Sequence, residues 1–151
     1  MIYDKFKITG KTCVITGGAG LLGQKHAEAV IEGEGIPILL DISEAALNNA
    51  QTNLKKQYPS AEIGVYRVDI TKQSELENVR DELVKKYGRI DILINNAANN
   101  PKVEDKGDNF GNIRFDNFPL EIWNADILVG LTGAFLCAKV FGMVMEQSKS
   151  G

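Results

Sequence analysis

The residues able to do chemistry gather in four short stretches. The first, Thr16-Gly17-Gly18-Ala19-Gly20-Leu21-Leu22-Gly23, holds four glycines in eight residues. Glycine in a regular element costs roughly 0.5–1 kcal/mol relative to alanine, so such a cluster marks a loop that something approaches closely. Gly18, Gly20 and Gly23 fit G-x-G-x-x-G. In that pattern one glycine permits a tight turn, a second lets backbone approach a diphosphate, and the third lets a helix pack close to a sheet. The free N–H groups and positive dipole of the helix start then face the anion. The second stretch ends in Asp41, about 20 residues further on, where a carboxylate accepts hydrogen bonds from ribose hydroxyls. A 2′-phosphate would be repelled there, and Ile42 and Ser43 bring no cation to receive it. NAD is therefore favoured over NADP. The third stretch is Val68-Asp69-Ile70, where Asp69 is able to accept from an adenine amino group. The fourth is Asn95-Asn96-Ala97-Ala98.

Each stretch also has a plainer reading. The glycines make a turn with no ligand. Asp41 and Asp69 cap the helices that follow them. The asparagine pair ties neighbouring strands together through side-chain amides. A Tyr-x-x-x-Lys, Tyr3 to Lys7, precedes the first strand candidate and would lie at the opposite end of a sheet from the glycines, so its spacing is read as coincidence.

Other chemistries find little support. The single histidine, His26, has no partners at metal-ligand spacing, and no metal is expected. Cys13 and Cys137 sit far apart inside apolar segments and read as buried reduced thiols of a cytoplasmic protein. With 17 basic and 20 acidic side chains, net charge −3, the chain shows no basic stripe for nucleic acid and no polybasic run for anionic lipid. The start, MIYDKFKITGK, does not read as a signal peptide. No stretch approaches the ~20 apolar residues of a membrane span.

The four stretches need elements to hold them. Thr12–Thr16, Ile36–Leu40, Ile63–Val68 and Ile90–Ile94 are near-continuous apolar runs, the pattern of strands covered on both faces. Between them lie segments with one apolar helical face. Gly23, Ala27, Val30 and Ile31 mark the first, ended by Gly33 and Gly35. Leu47, Ala50, Leu54 and Tyr58 mark the second, stopped by Pro59. Leu76, Val79, Leu83 and Tyr87 mark the third, capped by Thr71 and closed by Gly88. A polar segment, Asn99–Asn117, contains Arg114 and reads either as a substrate-framing loop or as an ordinary solvated one. A last helix spans Pro119 to Met145. The alternation predicts an α/β fold: a Rossmann-like, doubly wound parallel sheet of four βα units, formed by residues 1–151 as one NAD(P)-binding domain.

Taken in order, TGGAGLLG, Asp41, VDI at 68–70 and NNAA at 95–98 resemble the short-chain dehydrogenase/reductase family over essentially the whole chain. The glycine spacing is mixed. Thr16-Gly17-x-x-Gly20-x-x-Gly23 looks like the extended, sugar-nucleotide-modifying branch, and Leu21 stands where the shorter oxidoreductase branch has glycine. NNAA and Val129-Gly130-Leu131-Thr132-Gly133 look like that shorter branch. Such mixtures resemble bacterial surface-sugar or flagellin-modifying enzymes. The resemblance implies that Gly17, Gly18, Gly20, Leu21, Leu22, Gly23, Asp41, Ile42, Asp69, Ile70, Asn96, Ala97 and Ala98 hold the cofactor.

The family's chemistry uses an Asn, a Ser and a Tyr-x-x-x-Lys, with tyrosine as acid or base. Gly130 stands where that asparagine falls, and Asp126, one helical turn earlier, or a water is a candidate substitute. Ser and Tyr-x-x-x-Lys follow a fifth strand in the family, and this sequence stops at Ser150-Gly151, where that strand would begin. A fragment carrying the cofactor-binding half and no catalytic residues is expected. Leu128, Leu131, Phe135, Cys137, Ala138, Phe141, Met143, Val144 and Met145 surround the last helix with apolar surface. Either a partner subunit in a homo-oligomer or further parts of the same chain would cover it. The first expectation for function is an NAD-dependent oxidoreductase acting on a hydroxyl or carbonyl of a small, polar or sugar-like molecule. A non-catalytic dinucleotide-binding module and a sugar-nucleotide epimerase or dehydratase are the alternatives.

Overall fold

The computed structural model describes residues 5–99 and 115–149. Tyr3, Arg114 and the Ser150-Gly151 end lie outside the described residues, as does most of the polar segment. Four parallel strands, β1 (Thr12–Thr16), β2 (Ile36–Asp41), β3 (Gly64–Arg67) and β4 (Ile92–Ile94), form one sheet in the order β3-β2-β1-β4. Helices α1 (Leu21–Glu32), α2 (Glu44–Gln57) and α3 (Gln73–Tyr87) connect them.

Strand alternation sends successive side chains to opposite faces. Cys13 and Ile15 of β1 and Leu39 of β2 pack with Ala27, Val30, Leu47, Ala50 and Leu54 of α1 and α2. Val14, Ile38 and Leu40 pack on the other face with Leu76, Val79 and Leu83 of α3 and with Cys137, Val140 and Phe141. Two cores thus sandwich the sheet, which explains why every residue of β1 is buried. The two cysteines fall in different cores. Burial pushes both thiols up to about 12, so they are un-ionised near neutral pH.

Helix ends follow local chemistry. Ser43 Oγ accepts from Ala46 N at the start of α2. Gly88, at φ 73°, closes α3 in the left-handed region. One expectation needs correction. Thr71 does not cap α3; the cap position is Lys72, with no side-chain cap, and Thr71 Oγ1 donates to Asp69 Oδ1 at 2.7 Å instead. α1 does end at Gly33, but the left-handed residue beyond it is Glu34, at φ 66°, whose carboxylate accepts from Lys7 and Thr9.

β4 is shorter than the apolar run suggests. Ile90 is buried but unpaired, because Asp91 beside it turns inward, 4% exposed. Its Oδ2 accepts the Thr12 N–H at 2.9 Å, and Arg89 pairs with the same carboxylate. This charge anchors the chain's approach to β4 against the start of β1.

The last helix is not uniform. α4 (Leu120–Ile127) passes into a π-helical turn over Leu128–Gly133 and then α5 (Ala134–Ser148). At 29 residues and mean hydropathy 2.0 in its most apolar part, the rod is long and apolar enough to cross a membrane by length and composition alone, which corrects the reading that no stretch approaches this. Here Cys137, Val140 and Phe141 of α5 dock it on the sheet and α3. Leu120, Trp123, Leu131, Phe135 and Met143 stay exposed.

Replacing Asp91 by alanine strands the buried Thr12 N–H and frees Arg89. The expected loss is about 3 kcal/mol of unfolding free energy, measured by urea denaturation of both proteins.

Candidate functional site

Parallel strands with helices on both faces leave a crevice at their carboxyl ends, where the chain order reverses. Here β1 and β4 are neighbours, and the chain leaving β1 goes on to β2, on the side of the sheet away from β4. A cleft of about 590 Å³ opens at that point. Gly17, Gly20, Leu21, Leu22, Leu40, Asp41, Ile42, Val68, Ile70, Asn96, Ala97, Ala98, Asn99 and Val129 line it. Gly18, Gly23 and Asp69, also singled out from the sequence, do not.

The glycine turn is built by close backbone approach. Gly17, at φ 61°, occupies the left-handed region. A Cβ on Gly18 would come 2.8 Å from Leu39 Cβ, and one on Gly23 would come 2.3 Å from the Gly17 carbonyl oxygen. These glycines therefore work behind the cleft wall, letting α1 press against the turn. Gly20 is the N-cap of α1, and no side chain caps that end. The first-turn N–H groups of a helix have no intrahelical partners, so the positive end of α1 is left to face the cleft at Leu21 and Leu22. Position 21 tolerates a side chain because Leu21 points outward, 79% exposed.

Asp41 closes β2. Its Oδ2 accepts from Ala19 N at 3.2 Å and its Oδ1 from Ser43 N at 3.1 Å. Two main-chain amides thus fix the carboxylate at the rim while lone pairs remain for further donors. In register beside it on β3 is Arg67. That cation is not among the residues lining the cleft.

The opposite wall leaves β4. Thr16 Oγ1 accepts from Asn96 N and Ala97 N, both at 3.0 Å, and Asn96 Nδ2 donates to the carbonyls of Thr16 and Gly17 at 3.0 and 3.2 Å. The strand-tying role of Asn96 and its place in the cleft are therefore both present.

Asp69 behaves otherwise. Its Oδ1 accepts from Thr71 N and Thr71 Oγ1, its own N–H donates to Glu75 Oε2 at 2.8 Å, and Lys72 lies 3.6 Å away. One carboxylate oxygen is taken by Thr71 ahead of α3, and Val68 and Ile70 line the cleft while Asp69 does not. The Thr71 hydroxyl, more than its amide and Lys72, holds the Asp69 carboxyl below its ordinary value against desolvation. Glu75 is lowered too, first by the Asp69 N–H.

Leu40, Val68, Asn99 and Val129 were not among the residues expected to hold the cofactor. Leu40 is an ordinary core residue by its pattern. Val129 reaches the cleft because of the π turn, which leaves no mark in the sequence. At the end of that turn Gly133 lets α5 approach Ile70; a Cβ there would come 2.7 Å from Ile70 Cδ1. Gly130 faces away, into an apolar groove with Asp126, Trp123 and Leu131.

The glycine cradle, the uncapped helix start and the rim carboxylate fit a dinucleotide, and the comparisons with known proteins agree. A family model described as short chain dehydrogenase matches residues 11–151. The chain belongs to that family. Among curated relatives, an NAD-dependent glycerol dehydrogenase of Listeria innocua is 36% identical over 153 residues, covering 99% of this chain and 53% of the relative. An NADP-dependent mannitol dehydrogenase of Alternaria alternata is 27% identical over 154 residues, covering 99% and 53%. Among solved structures, NAD+-bound xylitol dehydrogenase superposes with a TM-score of 0.80 at 26% identity, covering 96% of this chain and 52% of that one. The short-chain dehydrogenase chain spans about half the length of the first curated relatives it matches.

Two outcomes follow. A folded-state carboxyl pKa below the unfolded one gives stability that is complete above the ordinary carboxylate range and is lost on acidification. The urea midpoint should fall from roughly pH 5 to pH 3, and Asp69→Asn should flatten that fall. Gly133→Ala should push Ile70 into the cleft, with a loss of about 1–2 kcal/mol of stability by urea denaturation.

Proposed function

We propose that the protein is an NAD-dependent oxidoreductase that moves a hydride to or from the hydroxyl or carbonyl carbon of a small polar molecule, and that residues 11–151 supply its dinucleotide site. The observation that carries this reading is the convergence, on one cleft, of the uncapped start of α1 and the fixed carboxylate of Asp41. The amides at the α1 start bind the diphosphate. Asp41 takes ribose hydroxyls. Leu40, Ile42, Val68, Ile70 and Val129 give the adenosine an apolar seat, and Asn96, Ala97 and Ala98 form the other wall. Gly18 and Gly23 serve the site by letting α1 close on the glycine turn. Asp69 contributes by fixing the backbone between Val68 and Ile70. When bound, the nicotinamide supplies the hydride chemistry itself.

NAD is preferred to NADP in this reading, because a 2′-phosphate would meet the Asp41 carboxylate, and among the described residues no cation lines the cleft beside it. Relatives of both cofactor types exist, so the choice rests on this chain's own rim. Polyol-handling relatives favour a sugar-like substrate. The exposed apolar face of α4 and α5 suits a homo-oligomer, with the second copy covering Trp123, Leu131 and Phe135. Two buried, unpaired thiols accord with a cytoplasmic setting.

A second reading, a non-catalytic dinucleotide-binding module, draws on Gly130, which puts no amide where the family resemblance asks for one. Calorimetric titration with NADH separates the readings in order. Uptake of NADH with much weaker uptake of NADPH supports the site, and Asp41→Ala should weaken NADH about tenfold or more. No uptake by the wild-type chain defeats both readings. Uptake without any hydride exchange at 340 nm across a polyol and ketone panel, measured on the protein encoded by the whole gene, favours the module.

A further inference from the structure

The segment leaving β4, residues 95–99, is not part of the sheet, yet it makes one wall of the cleft. Its middle is tied inward, through Asn96 and Ala97 to Thr16. Its ends are tied outward. Asn95 Nδ2 donates to the Ala134 carbonyl at 3.4 Å, and Asn99 Nδ2 donates to Asp126 Oδ1 at 3.0 Å. Asp126 stands just before the π turn and Ala134 just after it. The two side-chain amides therefore bracket the turn that delivers Val129 to the same cleft. Of the two outward bonds, the one to Asp126 is shorter and has a charged acceptor, which makes it the stronger.

Resting on the dinucleotide reading above, we propose that Asp126 is a positioning residue: its carboxylate holds Asn99, and through Asn99 the 95–99 wall, against α4 at the separation the cofactor needs. Asp126 does not line the cleft. It lies behind the wall, in the groove formed by Phe118, Trp123 and Ile127. Gly130, one turn along, has no side chain to make such a tie, and a Cβ there would meet nothing within 4 Å. The side-chain tie from α4 to Asn99 therefore runs through position 126.

The test is a double-mutant cycle read two ways. By calorimetry, Asp126→Ala and Asn99→Ala should each weaken NADH binding about fivefold, and the double variant should be no weaker than either single. Asp126→Asn, whose amide oxygen still accepts, should stay within about twofold of wild type. By amide hydrogen exchange on the free chain, the peptide spanning Asn95–Asn99 should exchange faster in Asp126→Ala and at the wild-type rate in Asp126→Asn. Additive losses, or an Asp126→Asn variant as weak as Asp126→Ala, overturn the proposal. If the wild-type chain takes up no NADH, the cofactor reading fails, and the exchange comparison alone decides this one: equal rates in both variants overturn it.

Discussion

The cleft exists because β1 is central and its two neighbours lead away from it, and because the Thr16 hydroxyl keeps the gap from drifting. Parallel strands end at a crevice wherever their connections diverge, but nothing in sheet hydrogen bonding fixes what lies beyond the last pair. Here pairing of β1 with β4 stops at Ile15 and Ile94. Past that point Thr16 Oγ1 takes two N–H groups from the β4 exit, and Asn96 returns two bonds to the carbonyls of Thr16 and Gly17. Those carbonyls belong to the glycine turn itself. One cluster thus sets both the turn that presents α1 and the wall that faces it. The left-handed Gly17 sits under the Asn96 side chain, so any shift of one moves the other.

Most of the fold was legible because burial on both faces writes a simple code. β1, β2 and the three connecting helices fall where apolar runs and helical faces put them, with ends within a residue or two. Asp41 and the glycine turn were legible for a different reason: close approach and rim position each demand a particular residue type. What stayed hidden was geometry that several sequences would satisfy. Asp91 lies inside an apolar run, so its inward charge and the shortened β4 carry no periodic signal. Asp69 and Asp41 look alike as acidic residues at strand ends, yet one spends its carboxylate on Thr71 and the other on Ala19 and Ser43. The difference comes from the next turn: Thr71 offers a hydroxyl two residues on, whereas Ser43 uses its own to cap α2.

The π turn changes which side chains of the last helix share a face. One extra residue in a turn rotates every later side chain by about 100° relative to an uninterrupted α-helix. Apolar positions before and after the turn then no longer share one stripe. Cys137, Val140 and Phe141 reach the core after it, whereas Leu120 and Trp123 before it stay exposed. The same rotation brings Val129 to the cleft and Gly133 under Ile70.

The lining of that cleft limits what it does. Among the described residues that line it, Asp41 is the one titratable side chain, and main-chain amides already hold both of its oxygens. The rest are glycines, aliphatic side chains, alanines and two asparagines. Such a surface binds and orients, and it offers no acid or base to a reacting group. A hydride moving between a carbinol and a carbonyl carbon needs a proton moved at the oxygen as well. In the proposed reading, with the ribose at Asp41, that proton passes through groups outside this lining.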